Sequence, residues 1–123
     1  MRFIFDANAL ILLLIGHERV VSRASECAEG ELCLSAISFA EVIHGSAAGK
    51  PPPISVIQRV RARIPVLPFD EDAAECYARL SFTRHRFDRL IAAHALALDL
   101  TLVTANLRDF HDIAGLRVED WTR

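Results

Sequence analysis

Lysine is almost missing from this chain: Lys50 is the only one, so 13 of the 14 Lys and Arg residues are arginine. Phosphotransfer domains of the receiver or haloacid-dehalogenase type want a lysine after a late strand, and none is there. Large aromatics are nearly as scarce. A single tryptophan, Trp121, and a single tyrosine, Tyr77, are too few for a track of stacked bases. The three cysteines, Cys27, Cys33 and Cys76, are odd in number and show no CxxC spacing. They fit reduced, buried thiols in a cytoplasmic protein better than disulfides or a zinc site. No apolar run is long enough for a bilayer: Ala9 to Ile15 is the longest, against about 20 residues needed. That run follows Asp6 and Asn8, with no basic region beyond Arg2 and no small-residue cleavage site, so it is not read as a signal peptide. The expectation is a soluble, cytoplasmic protein without membrane contact. An excess of positive charge is absent too. A net charge of −2 argues against non-specific nucleic-acid binding.

What is there fits one domain spanning residues 1–123, large enough to bury about two-thirds of its unfolded surface. Hydrophobic residues make up 52% of the chain, which excludes disorder. Short apolar strands are expected at Arg2 to Phe5, Glu31 to Leu34, Val66 to Pro68, Thr101 to Val103 and Leu116 to Glu119. Helices are expected at Ala9 to Ile15, His17 to Glu29, from a Ser38 cap to about Ala48, Ile54 to Arg63, Asp70 to Phe82 and Phe87 to Leu98. The first of these is apolar all round, hence buried or shared with a second subunit. Strands alternating with helices predict an α/β fold, a parallel sheet covered on both faces. Ligands in such sheets bind at the carboxyl ends of strands.

Four acids stand where apolar elements begin or end: Asp6, Glu41, Asp88 and Asp109. Asp6 and Asp109 follow strands, where an α/β site belongs. Carboxylates gathered there suit a hard cation, magnesium or manganese, with Asn8, Thr104 and Asn106 as supporting polar groups. Each acid also has a plainer reading. Asp6 is placed to cap the helix that follows. Ser38-x-x-Glu41 has the spacing of a capping box, and Asp88 opens a helix whose dipole favours a carboxylate. Asp109 could be a surface acid. His94, six residues past Asp88, lies about 120° round the helix and reads as a core or surface histidine. His44 and His111 have no partner at ligand spacing, and His85, between Arg84 and Arg86, lies near enough to touch a substrate. Seven arginines fall between Arg59 and Arg89. Of these Arg84, Arg86 and Arg89 are the candidate clamps for substrate phosphates.

The residues also resemble a known family. Asp6-Ala7-Asn8-Ala9-Leu10-Ile11 and Leu34-Ser35-Ala36-Ile37-Ser38-Phe39-Ala40-Glu41 look like the N-terminal half of PIN-domain ribonucleases. Phe87-Asp88-Arg89-Leu90-Ile91-Ala92-Ala93-His94-Ala95, Leu102-Val103-Thr104-Ala105-Asn106 and Arg108-Asp109-Phe110 look like the C-terminal half. The VapC toxins of VapBC toxin–antitoxin pairs are the members most similar, and the match covers nearly the whole chain. The resemblance implies a three-layer sandwich and a metal-dependent endoribonuclease acting on RNA. It also implies a homodimer held inactive by a VapB-type antitoxin. It maps the family's acids onto Asp6, Glu41, Asp88 and Asp109, with Asn8, Thr104 and Asn106 in support. Many members carry a longer basic, glycine-containing segment before the third acid. Here only Ser81 to Phe87 separates Leu80 from Asp88, so RNA preferences read from the longer type do not transfer. A rival reading keeps the fold and the partner face but binds no metal, as an interaction module.

Overall fold

Side-chain alternation along the shortest of strands decides the layering. The computed structural model describes residues 1–81 and 86–123, the side chain of Arg86 excepted. In β1 (Phe3–Phe5), Phe3 and Phe5 enter one apolar cluster while Ile4 enters another, because successive strand residues point to opposite faces. β2 (Leu32–Ser35) and β4 (Thr101–Val103) repeat the division: Leu34 and Val103 join Phe3 and Phe5, whereas Cys33 and Leu102 join Ile4. With β3 (Val66–Leu67) and β5 (Val118–Glu119) these form a five-stranded sheet in the order β3-β2-β1-β4-β5, every pair parallel. Both faces are buried, as parallel sheets require.

One face is covered by α1 (Ala7–Leu14), α2 (Glu18–Ser25), α3 (Ala36–Ala47) and α4 (Ile54–Arg61), which contribute Leu10, Val20, Val42 and Ile57. Trp121 closes this core, packing edge-on against Phe3 and Phe5 with ring centroids 5.0 and 5.2 Å away. The other face takes α6 (Arg86–Leu98), whose Ala92 and Ala95 are fully buried and let the helix lie close to the sheet. α5 (Glu71–Ala78) packs along α6. The result is the expected α/β three-layer sandwich.

Several boundaries differ from expectation for a single reason, the identity of the capping residue. Asp6 caps α1 directly, so the helix starts at Ala7. Only Ala7, Ala9 and Leu10 of α1 are buried, and Ile15 beyond it is 55% exposed, so its apolar girdle is not wholly interior. The third helix is capped by Ser35 and not by Ser38. The Ser35 hydroxyl accepts from the Ile37 N–H at 3.0 Å, which places Ser38 inside the first turn. Glu41 therefore belongs to no capping box. Asp70 caps α5 from outside, accepting from the Ala73 N–H at 3.0 Å.

His94 is a core residue, 1% exposed. Its Nδ1 lies 2.9 Å from the Ser35 hydroxyl, its ring meets Phe69 edge-on at 5.5 Å, and it hydrogen-bonds the backbone of Pro68. One imidazole thus joins α6, the cap of α3 and the segment after β3. Burial pushes its pKa below the ordinary value near 6.5, against opposing contributions from Asp70 and the Pro68 backbone. A histidine with a depressed folded pKa leaves the unfolded chain holding the extra proton in the window below 6.5. Its contribution to stability is therefore complete above that pH and is lost as pH falls through the window. His94→Leu should be less stable than the wild type at pH 7.5 by about 1–3 kcal/mol, because Ser35 and Pro68 lose a partner. The deficit should shrink at pH 5.5. Urea unfolding at both values checks this, and an equal deficit at each would contradict a neutral buried imidazole.

Candidate metal and active site

The carboxyl ends of β1 and β4 lie side by side, where strand order reverses between β1 and β4, the usual crevice of an open α/β sheet. Asp6 follows β1 and Thr104 follows β4; the Asp6 N–H donates to the Val103 carbonyl at 3.0 Å. Asp6 is 6% exposed. Its Oδ1 accepts from the Ala9 N–H at 2.8 Å, and the Thr104 side chain hydrogen-bonds the same carboxylate. Asp6 is thus at once the cap of α1 and the acid that ends β1.

A short relay continues from there. The Thr104 hydroxyl accepts from the Asn106 N–H at 3.0 Å, and Asn106 Nδ2 donates to Asp109 Oδ2 at 2.8 Å. Asp109 ends a single 3₁₀ turn, Leu107–Asp109, anchored by the buried ring of Phe110. Asp6, Thr104, Asn106 and Asp109 therefore form one connected polar set. Glu41 comes from α3 and Asp88 from the first turn of α6, and both are felt electrostatically. Burial raises the Asp6 pKa most, hydrogen bonds from Thr104 and Ala9 oppose it, and the charges of Asp88 and Asp109 raise it further. Burial likewise raises the Glu41 pKa, with Asp88 and Asp6 adding to it. Mutual repulsion of this kind is what a bound cation relieves.

The donors suit magnesium. All are oxygens, and one of them, Glu41 Oε1, is buried without a hydrogen-bond partner among the described residues. A native buried carboxylate oxygen left bare needs an explanation, and a hard cation or its water supplies one. Among the described residues no three His, Cys, Asp or Glu side chains come together as a group that could hold a metal ion. Magnesium does not need one, since it keeps several waters and is held by one or two carboxylates plus substrate phosphate.

Not every expected residue joins the set. Asn8 is exposed on the first turn of α1, outside the hydrogen-bonded group among the described residues. Arg84 and His85 lie outside the described residues, as does the side chain of Arg86. Arg89 is a correction. It is 7% exposed, and both terminal nitrogens of its guanidinium are taken by Asp112, so it is not a free phosphate clamp. Ser38, expected as a cap, is fully buried one turn before Glu41, with its hydroxyl lacking a partner among the described residues.

Comparison with known proteins agrees with this geometry. The PIN domain family profile matches residues 3–116. A tRNA(fMet)-specific endonuclease VapC of Shigella flexneri is 30% identical, with 99% of each chain covered. The chain belongs to the VapC family of PIN-domain ribonucleases, the toxins of type II toxin–antitoxin pairs. Among solved structures, DNA-bound VapBC from Salmonella typhimurium superimposes with a TM-score of 0.81 at 30% identity, covering 98% of both chains. VapBC2 from Rickettsia felis bound to a promoter DNA fragment gives a TM-score of 0.86 at 24% identity, covering 98% of this VapC-family chain and 99% of the other. The second likeness speaks for the fold alone.

Glu41 is the cleanest place to test the repulsion, because it caps nothing. A carboxylate with a raised folded pKa is penalised above that value and not below its unfolded value near 4.5. At pH 7 with EDTA, Glu41→Gln should raise the melting temperature by about 1–3 °C, a figure discounted for its partial exposure. The gain should disappear near pH 4. A lowered melting temperature at pH 7 would mean that the Glu41 charge is satisfied by the protein alone.

Proposed function

We propose that the chain is a magnesium-dependent endoribonuclease, with Asp6 and Asp88 as the direct holders of the ion and Asp109 as ligand to a second or water-linked ion. Manganese, with the same preference for oxygen donors, is expected to substitute. The observation that carries this reading is the Glu41 Oε1 oxygen, buried and without a hydrogen-bond partner among the described residues, on a carboxylate whose pKa burial raises most and the charges of Asp88 and Asp6 raise further. Magnesium, when bound, supplies charge neutralisation at the scissile phosphate and acidifies water.

The chain's own residues do the rest. Asp6 is fixed from two sides, by the Ala9 N–H and by Thr104, so its carboxylate has little freedom to turn away. Asn106 holds one oxygen of Asp109 and leaves the other to the site. Glu41, with its pKa raised by burial, is suited to orient the attacking water and take its proton. In-line attack then displaces the 3′ oxygen and leaves a 5′ phosphate. With Arg89 occupied, Arg84 and Arg86 are the arginines proposed to meet flanking phosphates. RNA presented as a splayed loop suits a site without an aromatic track. The relative named for tRNA(fMet) makes a folded tRNA the first substrate to try.

For partners, we propose a VapB-type antitoxin and a homodimer. The relatives solved as VapBC complexes support the first. The half-buried apolar row Ile11 to Leu14 and the exposed Ile15 offer surface for such contacts. Among the described residues no helix is long and apolar enough to cross a membrane.

Asp6→Asn or Asp88→Asn should abolish magnesium-stimulated cleavage of tRNA by orders of magnitude while the circular dichroism spectrum is kept. Sequenced 5′ ends after brief induction should show the wild-type cuts only. Cleavage by Asp88→Asn near the wild-type rate, with contaminating nuclease excluded, would remove the acids from the chemistry. An antitoxin that inserts an Arg or Lys among the acids should bind the Asp6→Asn/Asp88→Asn double variant at least tenfold more weakly, since that cation loses its counter-charges. Equal affinity in a titration of the two proteins would place the inhibitory contact elsewhere.

A further inference from the structure

Arg89 and Asp112 stand outside the acid set, yet each adjoins a member of it. Arg89 follows Asp88 on α6, and Asp112 comes three residues after Asp109. Their contact is bidentate, Nη1 to Oδ1 and Nη2 to Oδ2, both at 2.9 Å. Two parallel bonds fix orientation as well as distance, which a single point contact does not. The two ends differ in setting. The Arg89 side chain is 9% exposed and its Nε is buried without a partner among the described residues, whereas the Asp112 side chain is 48% exposed. The guanidinium is therefore anchored in the protein, and the carboxylate is drawn onto it from the surface.

The elements joined also differ. Asp88 rides on a helix whose Ala92, Ala93 and Ala95 are fully buried. Asp109 rides on one 3₁₀ turn, tied to its neighbours by Asn106 and Phe110. A short turn of that kind has low local stability unless something external holds it.

We propose that the Arg89–Asp112 pair is a positioning device, clasping the turn that carries Asp109 to the helix that carries Asp88. It sets the spacing of these two acids before ion or RNA arrives. The inference rests on the metal-site reading above. It assigns Arg89 no contact with substrate.

Charge alone and positioning predict opposite signs for one variant, and this makes the idea testable. Arg89→Met removes a cation beside the acids, so Coulomb's law by itself predicts tighter binding of a divalent ion. Loss of the clasp predicts weaker binding, by about tenfold, as for other residues that orient metal ligands from behind. Arg89→Met leaves only a half-exposed carboxylate for water to serve. Asp112→Ala strands a buried guanidinium and puts more of the fold at risk. The full-length wild type, Arg89→Met, Arg89→Lys, Asp112→Ala and Asp88→Asn would be titrated with Mg²⁺ alone by calorimetry. Amide hydrogen exchange across Leu107 to Phe110 would be followed in EDTA.

Weaker Mg²⁺ binding and faster exchange are expected for Arg89→Met and Asp112→Ala, with partial recovery in Arg89→Lys, which keeps the charge but not the fork. Unchanged exchange, or Mg²⁺ binding to Arg89→Met that equals or exceeds the wild type, overturns the clasp. If the wild type binds no Mg²⁺, or Asp88→Asn binds it equally well, the metal-site reading fails instead. The exchange in EDTA then still decides whether the pair holds the turn.

Discussion

The carboxylate of Asp6, buried at the carboxyl end of the central strand and repelled by Asp88 and Asp109, is the constraint around which this structure is arranged. Asp6 shows how the conflict is managed. Burial and the neighbouring Asp88 and Asp109 favour its neutral form, while the Ala9 N–H and Thr104 favour the charged one. Neither side removes the other. The carboxylate stays fixed in place and its affinity for positive charge remains available. Asp109 is restrained in the same manner by Asn106. Glu41 lacks such help at Oε1 among the described residues.

The fold supplies the rigidity this arrangement needs. β1, the middle strand, pairs with β2 on one side and β4 on the other, so Asp6 leaves the sheet from its most constrained position. α3 and α6 bring Glu41 and Asp88 in from opposite layers. Ser35 and His94 tie these two helices together six residues from each acid, on the α3 and α6 sides respectively. The buried hydrogen bond acts on the same pair of helices that carry the second and third acids.

Much of this was legible in the residues themselves. Phe3-Ile4-Phe5 announced a strand buried on both sides, and Asp6 after it announced both a cap and a strand-end acid. The angle of His94 to Asp88 took it out of the ligand set, but left core and surface open, and only the packing places it in the core. Other features were hidden because local spacing admits more than one physical solution. Ser38-x-x-Glu41 matches a capping box, but β2 runs on to Ser35, and that serine reaches the helix first. Arg89 lies within an arginine-rich stretch and looks like a surface clamp. Its partner is 23 positions away, and no local pattern connects them. Long-range pairing of polar side chains depends on the finished packing, and only the structure records it.

The parallel pairing of β1 with β4 has a consequence for the protein's birth. Phe5 meets Val103, and Val103 in turn lies beside Glu119, so the strand that ends in Asp6 gains one whole flank only after nearly all of the chain exists. Closing so long a loop is slow compared with forming a helix. The last acid, Asp109, is also among the late residues to be made. A growing polypeptide on the ribosome therefore holds scattered carboxylates and no assembled centre.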